Sequence, residues 1–272
     1  MIRVNLFDQN FAHVKSSTGY DASCFVKPSR GEWVRNQMTW DGDTVFTDEM
    51  CFSNVVDYVK TNRKIAWLME SPGVKPYIYQ NFHLIQDKFD KFLTFLDFET
   101  ASSIGIRREK YVNCPLGGAW VEPEHQKKQK SKLCSLIASS KRELPGHRLR
   151  HEIARSYNFI DLYGEAYKKI DDKSEALSDY AFSIVIENVS ISGYFTEKLI
   201  DCLLTRTIPI YYGDPKIEII FEKNGILSMQ DIVNLSFERY ESMIEHVNKN
   251  FEIACRLKSS DDTVFKQLRS FS

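Results

Sequence analysis

Two α/β domains in one chain, each a parallel sheet with helices on both faces, are what the sequence predicts. Three observations carry this. Short apolar runs alternate with helical patterns along most of the chain, which is the signature of strand–helix–strand units. The alternation breaks once, around Pro115-Leu116-Gly117-Gly118, and then restarts. The length, 272 residues, suits one large domain or two of modest size.

In the first block, residues 2–7, 44–47, 64–69 and 92–96 read as strands because each is a short apolar run. Residues 54–60 and 77–86 read as helices between them. Residues 122–132 carry Lys127, Lys128, Lys130 and Lys132 and almost nothing apolar, so they read as a solvated linker. A phosphate-binding patch is the alternative there. After it, 133–138 is a strand, 147–157 a helix, 159–163 a strand and 173–180 a helix. The apolar run 182–186 is a buried strand, 196–204 a helix and 207–212 a strand. From Ser236 a long amphipathic helix presents Tyr240, Met243, Ile244 and Val247 on one face. The domains are therefore expected at 1–125 and 126–272, with the last helix a candidate to pack back on the first.

Composition removes several function classes. Lysine plus arginine number 36 against 37 acidic residues, so a nucleic-acid partner, which calls for a basic field, is not expected. At 43% hydrophobic and 27% charged the chain is globular rather than disordered. None of the six cysteines falls in a Cys-x-x-Cys pair, which predicts buried reduced thiols. The histidines lack metal-ligand spacing, so no metal is expected. No 18-residue apolar run exists, and Met1-Ile2-Arg3-Val4-Asn5 lacks the pattern of a signal peptide, so no transmembrane segment and a cytoplasmic location are expected.

Residues 187–214 carry the chemistry. Thr196 is a plausible N-cap and Glu197 suits the positive helix end. Lys198 breaks that rule: a cation in the first turn opposes the helix dipole by about 0.3–1 kcal/mol. A bound anion would reverse the sign, since free N–H groups and the lysine would then act together. The alternative is a solvated lysine neutralised by Glu197 or Asp201. Glu187 ends an apolar strand, where ligands of open sheets bind, and could accept hydrogen bonds from ribose or sugar hydroxyls. Gly193 and Gly213 would let the backbone approach a ligand.

The stretch of residues 182–215, FSIVIENVSISGYFTEKLIDCLLTRTIPIYYGDP, resembles the signature of glycosyltransferase family 10, the α-1,3/α-1,4-fucosyltransferases, over some 34 residues with its spacing intact. The pattern is most similar to bacterial members. The resemblance implies two Rossmann-like domains facing across a cleft (GT-B type), an N-terminal acceptor-binding domain and a C-terminal domain holding the nucleotide sugar. It also implies inverting transfer of L-fucose from GDP-fucose to a carbohydrate hydroxyl, without an obligatory cofactor or metal.

Weaker likenesses extend the coverage. Lys64-Ile65-Ala66-Trp67-Leu68-Met69-Glu70-Ser71-Pro72 resembles the family strand whose glutamate is the general base, here Glu70. Ser139-Ser140 followed by Arg150 resembles the segment whose arginine contacts the diphosphate, with Arg148 the competing assignment. In this reading Arg150, Lys198 and the Thr196 helix start stabilise the leaving diphosphate. Glu197 bonds ribose hydroxyls, Tyr194 stacks on or bonds the nucleotide, and Glu187 and Asn188 face the sugar or the base. The Asp-x-Asp triplet at Asp41-Gly42-Asp43 could bind metal in other glycosyltransferases, but Asp-Gly between short runs predicts a hairpin turn. Residues 31–40 and 73–80 are expected to form acceptor loops. Where the chain departs from the pattern, at Asn188-Val189-Ser190 and in its N-terminal half, another GDP- or UDP-sugar donor stays open. A glycoside hydrolase using Glu70 and Glu187 and an inactive carbohydrate- or nucleotide-binding module stay open as well.

Overall fold

A computed structural model describes residues 1–9, 28–121 and 129–271. The chain divides into two units, Met1–Leu116 with Ser259–Ser272, and Gly117–Lys258.

The first unit is built on six parallel strands: β1 (Ile2–Phe7), β2 (Gly31–Arg35), β3 (Asp43–Thr47), β4 (Arg63–Leu68), β5 (Lys91–Thr94) and β6 (Tyr111–Asn113). Their order is β2-β1-β3-β4-β5-β6. Side chains alternate between the faces. One face, with Val4, Leu6, Trp33, Val45, Ile65, Trp67 and Leu93, packs on Val264, Phe265 and Leu268 of α8 (Ser260–Arg269). Trp33 lies 4.5 Å from the Phe265 ring and donates its Nε1–H to Asp261 at 3.0 Å. Asp262 accepts from the Ser29 and Arg30 amides, so α8 is tied to the entrance of β2. The helices are short: α1 (Val55–Tyr58), α2 (Pro76–Gln80) and α3 (Phe98–Ser103).

The second unit has four parallel strands, β7 (Lys132–Ile137), β8 (Asp161–Tyr163), β9 (Tyr180–Ile186) and β10 (Ile208–Tyr212), in the order β10-β9-β7-β8. Every residue of β9 is buried, as expected of a central strand covered on both faces. Around it stand α4 (Pro145–Ser156), α5 (Glu197–Leu204), α6 (Phe237–Ser242) and α7 (Ile244–Leu257). Leu199, Ile200, Leu203 and Leu204 are the buried side of α5, each contributing about 1.5–3 kcal/mol by leaving water. Five described cysteines are free thiols, four of them buried, while Cys24 lies outside the described residues.

In both sheets the first strand is flanked by the second and the third. A crevice therefore opens at the carboxyl ends of β1 and β3 in one unit, and of β7 and β9 in the other, where ligands of such sheets bind.

Several expectations are corrected. The Asp41-Gly42-Asp43 segment is not a hairpin, because β2 and β3 both run parallel to β1. Asp43 opens β3 and is held by Arg63 at 2.7 Å. Residues 31–35 are strand β2 rather than an acceptor loop. Only residues 173–176 of the segment 173–180 are helical, as a 3₁₀ turn capped by Asp172, and Tyr180 already belongs to β9. The long final helix is α6 and α7, interrupted at Met243. Within the linker, Lys127 and Lys128 lie outside the described residues. Lys132 starts β7, and Lys130 is buried with its ammonium on the Ser178 and Thr205 carbonyls at 2.8 and 2.7 Å. A lysine whose charge is spent on internal carbonyls is neither solvated linker nor anion patch.

Candidate active site

At the β7/β9 crevice lies a cavity of about 320 Å³, a volume suited to a small organic ligand. Ile137 and Ser139 line it from the end of β7, and Ile186 and Asn188 from the end of β9. His147 and Arg150 come from α4, Glu197, Lys198 and Asp201 from α5, Lys141 from the loop before α4 and Lys173 from the 3₁₀ turn before β9.

Two helix starts are fixed here by the end of β9. Glu187 is fully enclosed. It accepts the Thr196 amide at 2.8 Å and the Thr196 hydroxyl at 2.9 Å, and Lys198 Nζ lies 3.4 Å from it. Thr196 in turn caps α5 by accepting the Lys198 amide. The α4 start is set by Gly146, whose amide donates to Asn188 O at 3.0 Å. A Cβ at Gly146 would lie 1.8 Å from Glu187 O. Gly146→Ala therefore has to push α4 off β9; a loss of at least about 1–3 kcal/mol in chemical denaturation is expected. Gly213 is likewise excluded from bearing a side chain, since a Cβ there would meet Tyr211 Oη at 2.2 Å and Glu187 Cγ at 2.7 Å. Its smallness makes room for Tyr211 and Glu187.

Arg150 is 5% exposed. Its guanidinium donates to Ile186 O and, at 3.2 Å, to Asn188 Oδ1, so among the described residues its hydrogen bonds go to neutral groups. Burial lowers its proton affinity and Glu187 and Glu197 act the other way; a guanidinium nonetheless stays charged. A charge buried on neutral acceptors is a place for an anion. Lys198 pairs with both Glu187 and Glu197 at 3.4 Å, and Lys173 pairs with Asp201 at 2.9 Å and Glu197 at 3.5 Å. Burial works against both ammonium groups, but the neighbouring carboxylates outweigh it and raise their pKa values. Burial pushes Glu197 up, yet Lys198 and Lys173 overcome this and hold it at about 2. Burial wins at Asp201, whose carboxyl is raised despite Lys173 and the Trp120 amide. Burial and Arg150 lower the proton affinity of His147, against Glu143. The lining thus sets Lys141, Arg150, Lys173 and Lys198 against Glu197 and Asp201, and cations still exceed carboxylates when Glu187 behind the wall is counted.

The expected residues sort accordingly. Arg150, Asn188, Glu197 and Lys198 line the cavity. Arg148 is exposed and turns to the Glu143 carbonyl at 2.6 Å. Glu187 and Thr196 form the layer behind the cavity wall, where Glu187 anchors the start of α5. Tyr194 is 2% exposed and outside the lining, so it does not stack over the cavity here. Lys198 is paired, but with Glu187 and Glu197 rather than with Asp201, which belongs to Lys173. Nothing in the local sequence singles out Lys173 or His147; only topology brings them beside β9. Among the described residues no group of three or more His, Cys, Asp or Glu could hold a metal, and no helix is long and apolar enough to cross a membrane.

In the first unit, Glu70 lies two residues beyond the end of β4. Its amide donates to Asp48 Oδ1 at 3.2 Å, as does that of Met69 at 2.9 Å, and its carbonyl accepts from Tyr79 Oη. Asp48 is 1% exposed, and burial pushes its carboxyl up to about 7 from 3.8, despite the two amides. The folded state therefore holds this proton more tightly, and its stability falls as pH rises through that window. The melting-temperature advantage of Asp48→Asn over the parent is expected to widen between pH 4 and pH 8, at about 2–4 °C per kcal/mol.

Two parallel Rossmann-like units, one with a cationic crevice at its switch point, are the fold of GT-B glycosyltransferases. Residues 125–251, a little under half of the chain, match the family model described as glycosyltransferase family 10 (fucosyltransferase), C-terminal. The α-(1,3)-fucosyltransferase FucT of Helicobacter pylori is 33% identical over 78 residues, 29% of this chain and 15% of that protein. The α-(1,3)-fucosyltransferase B of Drosophila melanogaster is 38% identical over 73 residues, 27% and 16% of the two chains. The chain thus aligns with under a fifth of these relatives' lengths. Among solved structures, an α1,3-fucosyltransferase with GDP is similar at TM-score 0.53 and 18% identity, over 99% of this chain and 88% of that one. An α1,3-fucosyltransferase with GDP-fucose matches at TM-score 0.52 and 16% identity, over 99% and 88%.

Proposed function

We propose that the protein is an inverting glycosyltransferase that moves L-fucose from GDP-fucose to a carbohydrate hydroxyl. The observation that carries the reading is Arg150: a buried guanidinium on neutral acceptors, beside Lys198 and the α5 start, in a cavity at the switch point of a family 10 domain. Such a pocket suits a pyrophosphate. Bidentate and charge-assisted donors compensate the charge that develops as the sugar leaves, and no metal is needed for this.

In the reaction, the acceptor oxygen bonds to the anomeric carbon as the bond from that carbon to the β-phosphate oxygen breaks. GDP departs with the electron pair. Glu70 takes the acceptor proton as general base, which direct displacement from the opposite face requires. Arg150 and Lys198 bind the diphosphate, and Glu197, held ionised by its lysine neighbours, accepts from ribose hydroxyls. Asn188 orients Arg150 through its side-chain oxygen.

Thermal unfolding with GDP, GDP-fucose, UDP and UDP-sugars tests the donor. A ligand at about 100 times its dissociation constant stabilises by about 2.7 kcal/mol, so GDP and GDP-fucose are expected to raise the melting temperature and the uridine series not. Stabilisation by a UDP-sugar alone would overturn the donor assignment.

A further inference from the structure

The carboxyl ends of β1 and β3 form the switch point of the first sheet, and Asp48 stands there, directly after β3. Its backbone is in the left-handed region, φ +37°, which costs a residue other than glycine and persists only when its surroundings over-determine it. Its Oδ1 accepts both strand-end amides of the neighbouring β4, Met69 N and Glu70 N. Its Oδ2 is buried and, among the described residues, has no hydrogen-bond partner. Tyr79 from α2 holds the Glu70 carbonyl from the other side. An enclosed carboxyl with a spare oxygen is a costly way to hold two amides, which an Asn or Ser could also hold; the charge itself needs a use.

We propose that Asp48 is a positioning residue for Glu70: it clamps the backbone of the base and, by its own charge, sets how firmly the base holds a proton. This rests on Glu70 being the base. The groups that face Asp48 are Glu70 after β4, Glu49 and Cys51 on its own 3₁₀ turn, and Lys75 at the start of α2, which is paired with Glu49. Lys75 pairs with Glu49 and also feels Asp48 and Glu70; beside it, an ionised Asp48 acts on Glu70 as a like charge. It raises the proton affinity of the base, and the two carboxyls titrate as a coupled pair. The near-neutral titration of Asp48 puts that coupling in the working range of an enzyme.

The test is the rate of GDP release from GDP-fucose, with water as acceptor, between pH 5 and 9. Asp48→Asn keeps the acceptor oxygen and removes the charge. It is expected to bind GDP as the parent does, to turn over about tenfold more slowly, and to show the acid-side inflection moved down by about one pH unit. The parent profile itself is expected to need two acid-side ionisations, a measurement that requires no variant. An Asp48→Asn profile superimposable on the parent, with Glu70→Gln inactive, overturns the role of Asp48 and leaves the base standing. A Glu70→Gln protein that releases GDP at the parental rate overturns the base, and the role of Asp48 falls with it.

Discussion

Lys198→Met is expected to slow sugar transfer by about 10²–10³-fold, the usual loss on removing one preorganised donor to a developing negative charge. Methionine keeps the length and the apolar stem, so the packing of α5 is spared. What disappears is the ammonium 3.4 Å from both Glu187 and Glu197. In the ligand-free protein that ammonium is shared by two carboxylates. In the proposed reaction it faces a pyrophosphate whose charge grows as the sugar departs, so the defect is expected mainly in kcat. Arg148→Ala is the matched control. Arg148 bonds the Glu143 carbonyl outside the cavity, and its loss is expected to change the rate less than about twofold, as for other surface substitutions. An equal loss from both variants would mean that charge on this face, rather than placement in the cavity, governs turnover.

Glu70→Gln is expected to cost about 10²–10⁴-fold in transfer, the range for removing a positioned general base, while GDP binding stays at the parental level. Glutamine matches the shape of glutamate, and the clamps from Asp48 and Tyr79 act on the Glu70 backbone, so they persist. Parallel measurement of nucleotide affinity and transfer rate separates chemistry from binding. Loss of both would mean that Glu70 supports the structure instead.

The central strands were legible because a strand covered on both faces is an apolar run, as β9 shows over its full length. Edge strands were not. In β2 only Gly31 and Trp33 are buried, and β6 is three residues long with none buried, so neither offers a periodic signal. The break between α6 and α7 is invisible for another reason: Tyr240, Met243 and Val247 keep helical spacing across a one-residue interruption.

At the site, Lys198 was readable as a cation that opposes its own helix. Arg150 could not be separated from Arg148 by spacing. Two residues are about 200° apart around a helix, and the phase of α4 is set by the Gly146 contact with Glu187 O, a long-range fact. A carboxylate at a strand end looks open to a ligand; the burial of Glu187 behind Thr196 appears only once α5 is folded against it. Lys173 reaches the site through its pairs with Asp201 and Glu197, 28 and 24 residues away in sequence.

The account depends most on the grip of a pyrophosphate at the end of the second sheet, and calorimetric titration of GDP against GMP tests it directly. Two charge-assisted contacts to the terminal phosphate, at about 1.5–3 kcal/mol each, imply that GDP binds at least about 100-fold more tightly. Equal affinity for the two nucleotides would mean that Arg150 and Lys198 do not hold that phosphate, and would contradict the account.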